Sequence, residues 1–380
     1  MGAGLKYWYW LGALSGAGAK QAKKLLGIYG NAYEVFRAPA AELEKHGFLT
    51  PKQLERLASP EARQGIEEKL CALSEIGVAA VSPEDAAYPE LIKEIEDPPP
   101  VLFMRGAAPY KSSDRPVAVV GTRRPTAYGI AVTKKLVSGL AAYGFTIVSG
   151  LAAGIDAVAH RTAVEEGAKT IAFLGCGPEK AYPPGNARLM EDVIGCGAVY
   201  SEYPPGTLPF QQNFPQRNRL ISGMSVGVIV VEASERSGAL ITAGFAGEQG
   251  RDVFAVPGNV TSPQSRGANA LLRDGAMLAA SAEDVALTLN RYMDYPVQLR
   301  LDDAESRRAE TARQLGVLNG AERGAVRLLG ERGPLDVDAI AALSRTPAGE
   351  AGALAVMLEI KGLLRRMADG KYELTFDYMD

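Results

Sequence analysis

Short apolar runs alternate with longer helix-like segments between residues 116 and 274. Six of the runs are predicted as strands, at 117–120, 146–149, 170–174, 198–202, 226–231 and 252–256. Helical patterns fill the gaps between them, at 127–143, 155–166, 186–194, 238–249 and 267–274. The run at 226–231, Val-Gly-Val-Ile-Val-Val, has no polar alternation, which is typical of a strand buried on both faces. This order predicts an α/β fold with a doubly wound, mostly parallel sheet.

The chain before residue 80 has a different pattern, dominated by short amphipathic helices. Helices are predicted at 32–36, 39–46, 51–58 and 60–76, several with proline in the first turn. A Gly16-Ala-Gly18 turn precedes a further amphipathic segment and resembles the turn of a helix-hairpin-helix or SAM-like module. Such a turn can bind a phosphate through its backbone N–H groups, and a purely structural turn is the alternative.

Three further patterns complete the predicted organisation. The runs 78–81 and 101–104 flank a proline-rich segment and predict an extension along the edge of the sheet. The charged run 300–310 predicts a solvated linker. The tail has three helical patterns and then two short apolar runs around Asp369-Gly370, which is a winged-helix pattern. We therefore expect a helical module at 1–80, the α/β domain at 81–290, a linker at 291–318 and a winged-helix domain at 319–380.

Composition narrows the class of protein. A hydrophobic content of 47% and a charged content of 22% are ordinary for a soluble globular chain. An apolar run of the ~18 residues that a membrane span needs is not visible, nor is a secretory signal, so we expect a cytoplasmic protein without a membrane partner. Three cysteines without paired spacing and only two histidines argue against a metal site. Since the net charge is −3, an anion site must arise from local placement of cations.

The loops that follow the predicted strands are the expected place for a ligand. Each loop is rich in glycine, serine, threonine or asparagine, which suits close approach to a phosphate. The first loop has neither a dinucleotide-binding nor a Walker A pattern, and it carries Arg123 and Arg124 instead. Arginine binds phosphate and stacks on bases, so we expect at least one of the two, Arg123 in preference, to face the ligand. An ion pair with an acidic neighbour is the alternative.

The segment Asn213-Phe-Pro-Gln-Arg-Asn-Arg-Leu-Ile-Ser-Gly-Met-Ser225 concentrates cations and an aromatic ring. Positions two apart on a helix point about 200° apart, so Arg217 and Arg219 are predicted to have different roles. Phe210 and Phe214 can stack on unpaired bases, with core packing as the alternative for each. The segment is predicted to hold a polyanion and not to cleave it.

Catalytic hypotheses have less support. Asp156 and His160 share a helix face without a linked nucleophile, so buried structural hydrogen bonds are expected for them. Glu248 lies in a segment similar to that of nucleotide-cleaving phosphoribohydrolases, but the glycine pair of that motif is missing. We expect a non-enzymatic protein without a cofactor or metal. A nucleotide or nucleoside-monophosphate hydrolase that uses Glu248, and a nucleotide-sensing module, remain as alternatives.

Six motifs, in order along the chain, resemble the DNA-processing protein A family (DprA, also called Smf). They are Val119-Val-Gly-Thr-Arg123, the run from Ser149 to His160, Tyr182-Pro-Pro-Gly-Asn186, the run from Asn213 to Gly223, Arg236-Ser-Gly-Ala-Leu-Ile-Thr-Ala243, and the run from Gly250 to Gly258. The resemblance implies an extended Rossmann-like domain that binds single-stranded DNA and dimerises. It also implies delivery of the strand to a RecA-type recombinase in natural transformation, without a chemical reaction.

The resemblance and the loop chemistry together give the predicted DNA-binding residues. These are Gly121, Thr122, Arg123, Arg124, Ser149, Gly150, Asn186, Phe214, Arg217, Asn218, Arg219, Ser237, Gly238 and Asn269. Two departures from the family pattern bear on this set. Thr122 stands where serine is usual, and lysines that several relatives carry near Pro184 and Gln211 are absent here.

Overall fold

The computed structural model describes residues 4–15, 18–107, 115–290, 318–344, 346–361, 363–367 and 369–374. The chain divides into two compact units, Met1–Gln298 and Leu299–Asp380. Residues 16 and 17 of the predicted N-terminal turn and the charged run 300–310 lie outside the described residues. Of the described helices, none is long and apolar enough to cross a membrane.

The N-terminal helices α1 to α7 of the first unit surround a core of their own. Their bounds are α1 Leu5–Leu11, α2 Ala19–Tyr29, α3 Ala32–Arg37, α4 Ala40–Lys45, α5 Pro51–Ala58, α6 Pro60–Arg63 and α7 Ile66–Glu75. The next helix, α8 Glu90–Glu94, contributes Ile92 to the core of the sheet instead. Trp10 is buried in the core of the N-terminal helices, donates from Nε1 to the Leu57 carbonyl oxygen at 3.0 Å, and packs against the Arg63 guanidinium. The prediction of a single helix at 60–76 is wrong, because Gly65 adopts a left-handed φ of 63° between α6 and α7.

Nine strands form one sheet within the described part of the first unit. They are β1 Ala79–Val81, β2 Leu102–Gly106, β3 Pro116–Val120, β4 Thr146–Ser149, β5 Thr170–Leu174, β6 Ala198–Ser201, β7 Gly227–Val230, β8 Asp252–Ala255 and β9 Met277–Leu278. Their order is β1-β2-β6-β5-β4-β3-β7-β8-β9, parallel from β6 to β9, with β1 and β2 antiparallel at one edge. Val117 of β3 pairs with Ile147 of β4 and with Gly227 of β7, so the strand order reverses at β3. A reversal of this kind opens a crevice beyond the carboxyl ends of the strands.

The six predicted strands of the α/β segment are confirmed to within one residue at each end. Ile147, Ile171 and Ile229 at the sheet centre are fully buried, as the unbroken apolar runs predicted. The predicted extension along the sheet edge is confirmed by β1 and β2. The pattern did not indicate α8 and β9, since five and two residues are too few to show a periodicity.

Helices cover both faces of the sheet and connect its strands. Their bounds are α9 Ala127–Ala142, α10 Ile155–Glu165, α11 Ala187–Cys196, α12 Asn213–Gly223, α13 Gly238–Glu248, α14 Arg266–Arg273 and α15 Ala282–Leu289. α12 packs against α13 and against the sheet, and its residues Leu220 and Ile221 are buried in the same core as Val120 and Ala239. This packing fixes which side chains of α12 face the crevice.

The described part of the second unit contains three helices and a two-stranded antiparallel sheet. Their bounds are α16 Gly320–Arg332, α17 Val337–Ser344, α18 Ala348–Ile360, β10 Leu364–Arg366 and β11 Tyr372–Leu374. Leu329, Ile340, Leu358 and Tyr372 form its buried core. The three predicted helices and the two strands are therefore present, with the two strands on either side of Asp369-Gly370.

Candidate functional site

A pocket of about 650 Å³ opens beyond the carboxyl ends of β3, β4 and β7. It is lined by the loop after β3, the start of α10, one face of α12 and the first turn of α13. Its polar lining residues include Thr122, Arg123, Asp156, Tyr182, Gln211, Arg217, Asn218, Ser234, Ser237 and Thr242. The pocket therefore lies at the reversal of strand order, where open α/β sheets bind their ligands.

A cation and two aromatic rings meet at the mouth of the pocket. The exposed guanidinium of Arg123 lies over the ring of Phe214, with its central carbon 5.7 Å from the ring centre. The ring of Tyr182 contacts the same Phe214 ring at 5.3 Å between centres. Gly175 leaves space for Phe214, because a methyl group there would lie 3.0 Å from the ring. The arrangement offers a positive charge and aromatic surface to the same ligand.

Arg217 lies beneath the mouth and is almost completely buried. Its Nη1 donates to the Gly150 carbonyl oxygen at 2.7 Å and also to the Phe173 carbonyl oxygen. Burial lowers the pKa of Arg217 to about 10, which the negative charge of Asp156 opposes. The side chain therefore keeps its proton at neutral pH and places a fixed positive charge in the pocket wall.

Asp156 and His160 both serve as buried structural groups, as predicted, but with separate partners. Asp156 accepts a hydrogen bond from the Gly150 N–H at 3.2 Å, and burial raises the pKa of its carboxyl against the opposing charge of Arg217. His160 Nδ1 lies 2.7 Å from the Thr170 hydroxyl, and burial lowers the pKa of its imidazole to about 3. The two residues therefore do not act as an acid/base pair.

The loop that carries Arg123 is held by Glu232 at the end of β7. The Glu232 carboxylate accepts from the Thr126 backbone N–H at 2.9 Å and from the Thr126 hydroxyl at 2.6 Å. The Thr122 N–H donates to the Glu232 carbonyl oxygen at 2.7 Å, and the Thr122 carbonyl oxygen accepts from the Ile155 N–H at 3.1 Å. These four bonds fix the backbone of the loop, so Arg123 extends from a rigid support.

The pocket brings together eight of the fourteen predicted residues: Gly121, Thr122, Arg123, Phe214, Arg217, Asn218, Ser237 and Gly238. The other six do not line it: Arg124, Ser149, Gly150, Asn186, Arg219 and Asn269. Among these, Ser149 and Asn269 hydrogen-bond to backbone groups of Val119 and Gly258. Asn186 donates to the Leu151 carbonyl oxygen at 2.9 Å. These three side chains shape the loops around the pocket.

Arg217 and Arg219 have different roles, as their spacing predicted. Arg219 is buried on the other side of α12, where its Nη2 lies 2.6 Å from Glu202 Oε2 and its Nε lies 3.2 Å from Asp97 Oδ2. The prediction that Arg219 lines the ligand site is therefore not supported by its position. Its contacts instead join α12 to β6 and to the segment that precedes β2.

Glu248 lies away from the pocket. It is exposed at the carboxyl end of α13, the helix whose amino end, at Gly238, lines the pocket. Eleven helical residues span roughly 15 Å, so the Glu248 carboxylate and the pocket occupy opposite ends of one helix. The alternative in which Glu248 is the acid of a hydrolase in this pocket is not favoured by this separation.

The pocket also contains residues outside the predicted set. Tyr182, Gln211 and Thr242 line the pocket, although none was among the predicted ligand contacts. An aromatic residue in a proline- and glycine-rich loop after a predicted strand is a usable sequence signal for Tyr182. Gln211 and Thr242 have ordinary sequence surroundings, and only the tertiary structure brings them to the pocket.

Comparisons with known proteins agree with this fold. The sequence profile of the family described as DNA recombination-mediator protein A matches residues 79–290. Protein Smf of Synechocystis is 44% identical over 212 residues, which cover 55% of this chain. The matched segment covers 53% of that relative, so the match spans about half of its length.

Two solved structures are also similar. The X-ray structure of DNA processing protein A from Streptococcus pneumoniae matches with a TM-score of 0.60 and 35% identity, covering 72% of this chain and 95% of that chain. DNA processing protein A from Helicobacter pylori, whose structure addresses single-stranded DNA binding, matches with a TM-score of 0.50 and 30% identity, covering 55% and 95%. The mostly parallel α/β sheet is thus shared with these structures. This chain belongs to the DNA recombination-mediator protein A family.

Proposed function

We propose that this protein binds single-stranded DNA in the pocket beyond β3, β4 and β7. The observation that carries the proposal is the Arg123 guanidinium 5.7 Å from the centre of the Phe214 ring, at the mouth of an open pocket. A cation beside a half-buried aromatic ring suits a phosphate next to an unpaired base. The Helicobacter pylori relative is described as binding single-stranded DNA, and family membership supports extending that ligand to this chain.

The pocket residues divide into three roles in this proposal. Arg123 contacts a phosphate, and the buried Arg217 adds positive charge behind it. Phe214 and Tyr182 provide the surface on which a base stacks. Gly238, where a Cβ would meet nothing within 4 Å, permits close approach of the strand to the first turn of α13. Arg124 is exposed but outside the pocket, and Arg219 has a structural role.

Family membership also supports a proposal for the wider biological role. We propose a cytoplasmic mediator of DNA processing and recombination in natural transformation, which protects incoming single strands and delivers them to a RecA-type recombinase. The protein acts without a chemical step, cofactor or metal in this proposal. Dimerisation through the α/β domain is part of the same proposal and rests on family resemblance.

The proposed organisation assigns parts of this role to separate modules. Residues 1–80 form a SAM-like helical module, and residues 81–290 form the extended Rossmann-like domain that holds the DNA. Residues 291–318 are a linker, and residues 319–380 are a winged-helix module for duplex DNA or a partner protein. The three helices and the antiparallel strand pair of the second unit support the last assignment.

The test is a fluorescence anisotropy titration of labelled oligo-dT at several salt concentrations. Log K should fall linearly with log salt, with a slope of ~0.7 for each phosphate that the pocket neutralises. Phe214→Ala should weaken binding by about 1–3 kcal/mol through loss of base stacking. If the protein shows no salt-dependent binding of oligo-dT, the proposed function is wrong.

Arg123→Ala and Arg124→Ala form a matched pair for the same titration. Both remove an exposed arginine from one loop, but only Arg123 lines the pocket. Arg123→Ala should weaken binding and reduce the salt slope by about 0.7, whereas Arg124→Ala should keep nearly the wild-type slope. Equal effects of the two changes would show that the loop attracts DNA by charge alone.

A further inference from the structure

A second, smaller cavity adjoins the proposed DNA pocket. It has a volume of about 180 Å³ and lies beyond the carboxyl ends of β5 and β6. Tyr182 and Pro209 line both cavities, so these two residues form the wall between them. Since β5 lies two strands from β3 in the sheet, the two cavities lie roughly 10 Å apart along the strand exits, at ~4.8 Å per strand.

The lining of this cavity is mainly apolar, with one exposed cation. Ala181, Pro184 and Leu208 provide apolar surface, and Leu208 is 63% exposed. Lys180 is exposed at the rim. Burial raises the pKa of the Cys176 thiol to about 11, so this lining residue is uncharged at neutral pH. An exposed leucine next to a lysine fits the base and the phosphate of one nucleotide.

Glu179 supplies a further feature that points to a base. One carboxylate oxygen, Oε1, accepts from the Gly206 N–H at 2.8 Å. The other, Oε2, is buried and lacks a hydrogen-bond partner among the described residues. A carboxylate repels a phosphate, but it accepts hydrogen bonds from the N–H groups of a base edge. Since Oε2 lies against Gly177, the contribution of Glu179 is its negative charge, which disfavours a phosphate inside the cavity and favours one outside, at Lys180.

We propose that the cavity between Tyr182 and Leu208 holds the next base of the bound single strand, with Lys180 against the adjoining phosphate. The proposal rests on the proposed function, because it extends the same strand from the first pocket. Tyr182 separates the two bases, and it already contacts the Phe214 ring on the side of the first pocket. The strand thus runs along the sheet edge from the exit of β3 towards the exits of β5 and β6.

The salt dependence of oligo-dT binding tests the phosphate contact. Lys180→Ala should reduce the slope of log K against log salt by about 0.7, the value for one phosphate of a single strand. Lys135→Ala is the matched control, because Lys135 is an exposed lysine on α9 that lines neither cavity. The control should keep the wild-type slope.

A second variant tests the base position. Leu208→Asp places a negative charge at the rim of the second cavity alone and should weaken binding at least fivefold. Val260→Asp adds the same charge at a position that is 80% exposed and outside both cavities, and it should change binding less than twofold.

The outcomes separate this proposal from the one on which it rests. If wild-type protein binds oligo-dT and Arg123→Ala weakens it, but Lys180→Ala and Leu208→Asp match their controls, the second cavity does not hold DNA. If wild-type protein fails to bind oligo-dT at low salt, the proposed function itself is wrong. If Lys180→Ala reduces the slope of log K against log salt and Leu208→Asp weakens binding, the results support a second base in the cavity between Tyr182 and Leu208.

Discussion

Arg217 donates a 2.7 Å hydrogen bond to the carbonyl oxygen of Gly150, and this bond ties α12 to the exit of β4. The approach is close because Gly150 has no side chain: a methyl group there would lie 2.6 Å from Arg217 Nη1. Phe214 lies less than one turn before Arg217 on the same helix. The bond therefore sets the position of the ring that faces the ligand as well as the buried charge.

Arg217→Ala should strongly destabilise the fold. The change removes the donor to two buried carbonyl oxygens, those of Gly150 and Phe173, and leaves the buried Asp156 without its compensating charge. Each hydrogen bond to a charged group contributes about 1.5–3 kcal/mol, so loss of the two should lower the free energy of unfolding by about 3–6 kcal/mol. Urea denaturation at pH 7 measures the loss. Arg123→Ala, which removes an exposed arginine, should change stability by less than about 0.5 kcal/mol.

Gly150→Ala and Gly238→Ala should separate stability from binding. At Gly150 the new methyl group meets the Arg217 guanidinium, so the free energy of unfolding should fall by about 1–3 kcal/mol. At Gly238 the methyl group meets nothing within 4 Å, so stability should be retained. Gly238→Ala should nevertheless weaken oligo-dT binding, because the methyl group would occupy space that the proposal gives to the strand. Unchanged affinity would remove Gly238 from the proposed contact surface.

The sheet could be predicted from sequence because its strands are short, apolar and buried on both faces. The exits of those strands also indicated where the site lies. The preference for Arg123 over Arg124 could be stated from sequence, but its physical basis could not, because it depends on how Glu232, 106 residues away from Thr126 in sequence, holds the loop. Asn186 and Asn269 posed the same difficulty, since an asparagine that closes a loop and one that contacts a ligand look alike in sequence.

Arg219→Met should destabilise the protein without a direct effect on DNA contact. The positive charge of Arg219 balances the negative charges of two carboxylates, those of the fully buried Glu202 and the mostly buried Asp97. Removing Arg219 takes away the cation that contacts both carboxylates, at a cost of about 3–5 kcal/mol. The double variant Arg219→Met with Glu202→Gln should recover part of that loss, as measured by urea denaturation. At a temperature where both variants are folded, oligo-dT affinity should remain near wild type. A large affinity loss in the folded double variant would contradict the structural role of Arg219.

His160 should make the protein sensitive to mild acid. Burial, together with the nearby charge of Arg217, lowers the pKa of its imidazole to about 3 in the folded state. The unfolded chain takes up that proton near pH 6.5, so the stability due to neutral His160 is complete above pH 6.5 and is lost as pH falls towards 3. The limiting slope is about 1.4 kcal/mol per pH unit, which gives a loss of about 2 kcal/mol between pH 7 and pH 5.

Urea denaturation of wild type and His160→Asn at pH 7, 6 and 5 measures this dependence. The variant should start from a lower stability at pH 7, because it loses the packing of a fully buried ring and the bond to Thr170. It should also lose most of the slope between pH 7 and pH 5. His46→Gln is the control, because it removes the other histidine, which is half-buried. Comparison of the two variants shows whether the pH dependence needs the buried imidazole of His160 in particular. A wild-type slope in His160→Asn would assign the acid sensitivity to other groups. Asp156 works in the opposite direction, since burial raises the pKa of its carboxyl and the folded state then gains stability as pH falls.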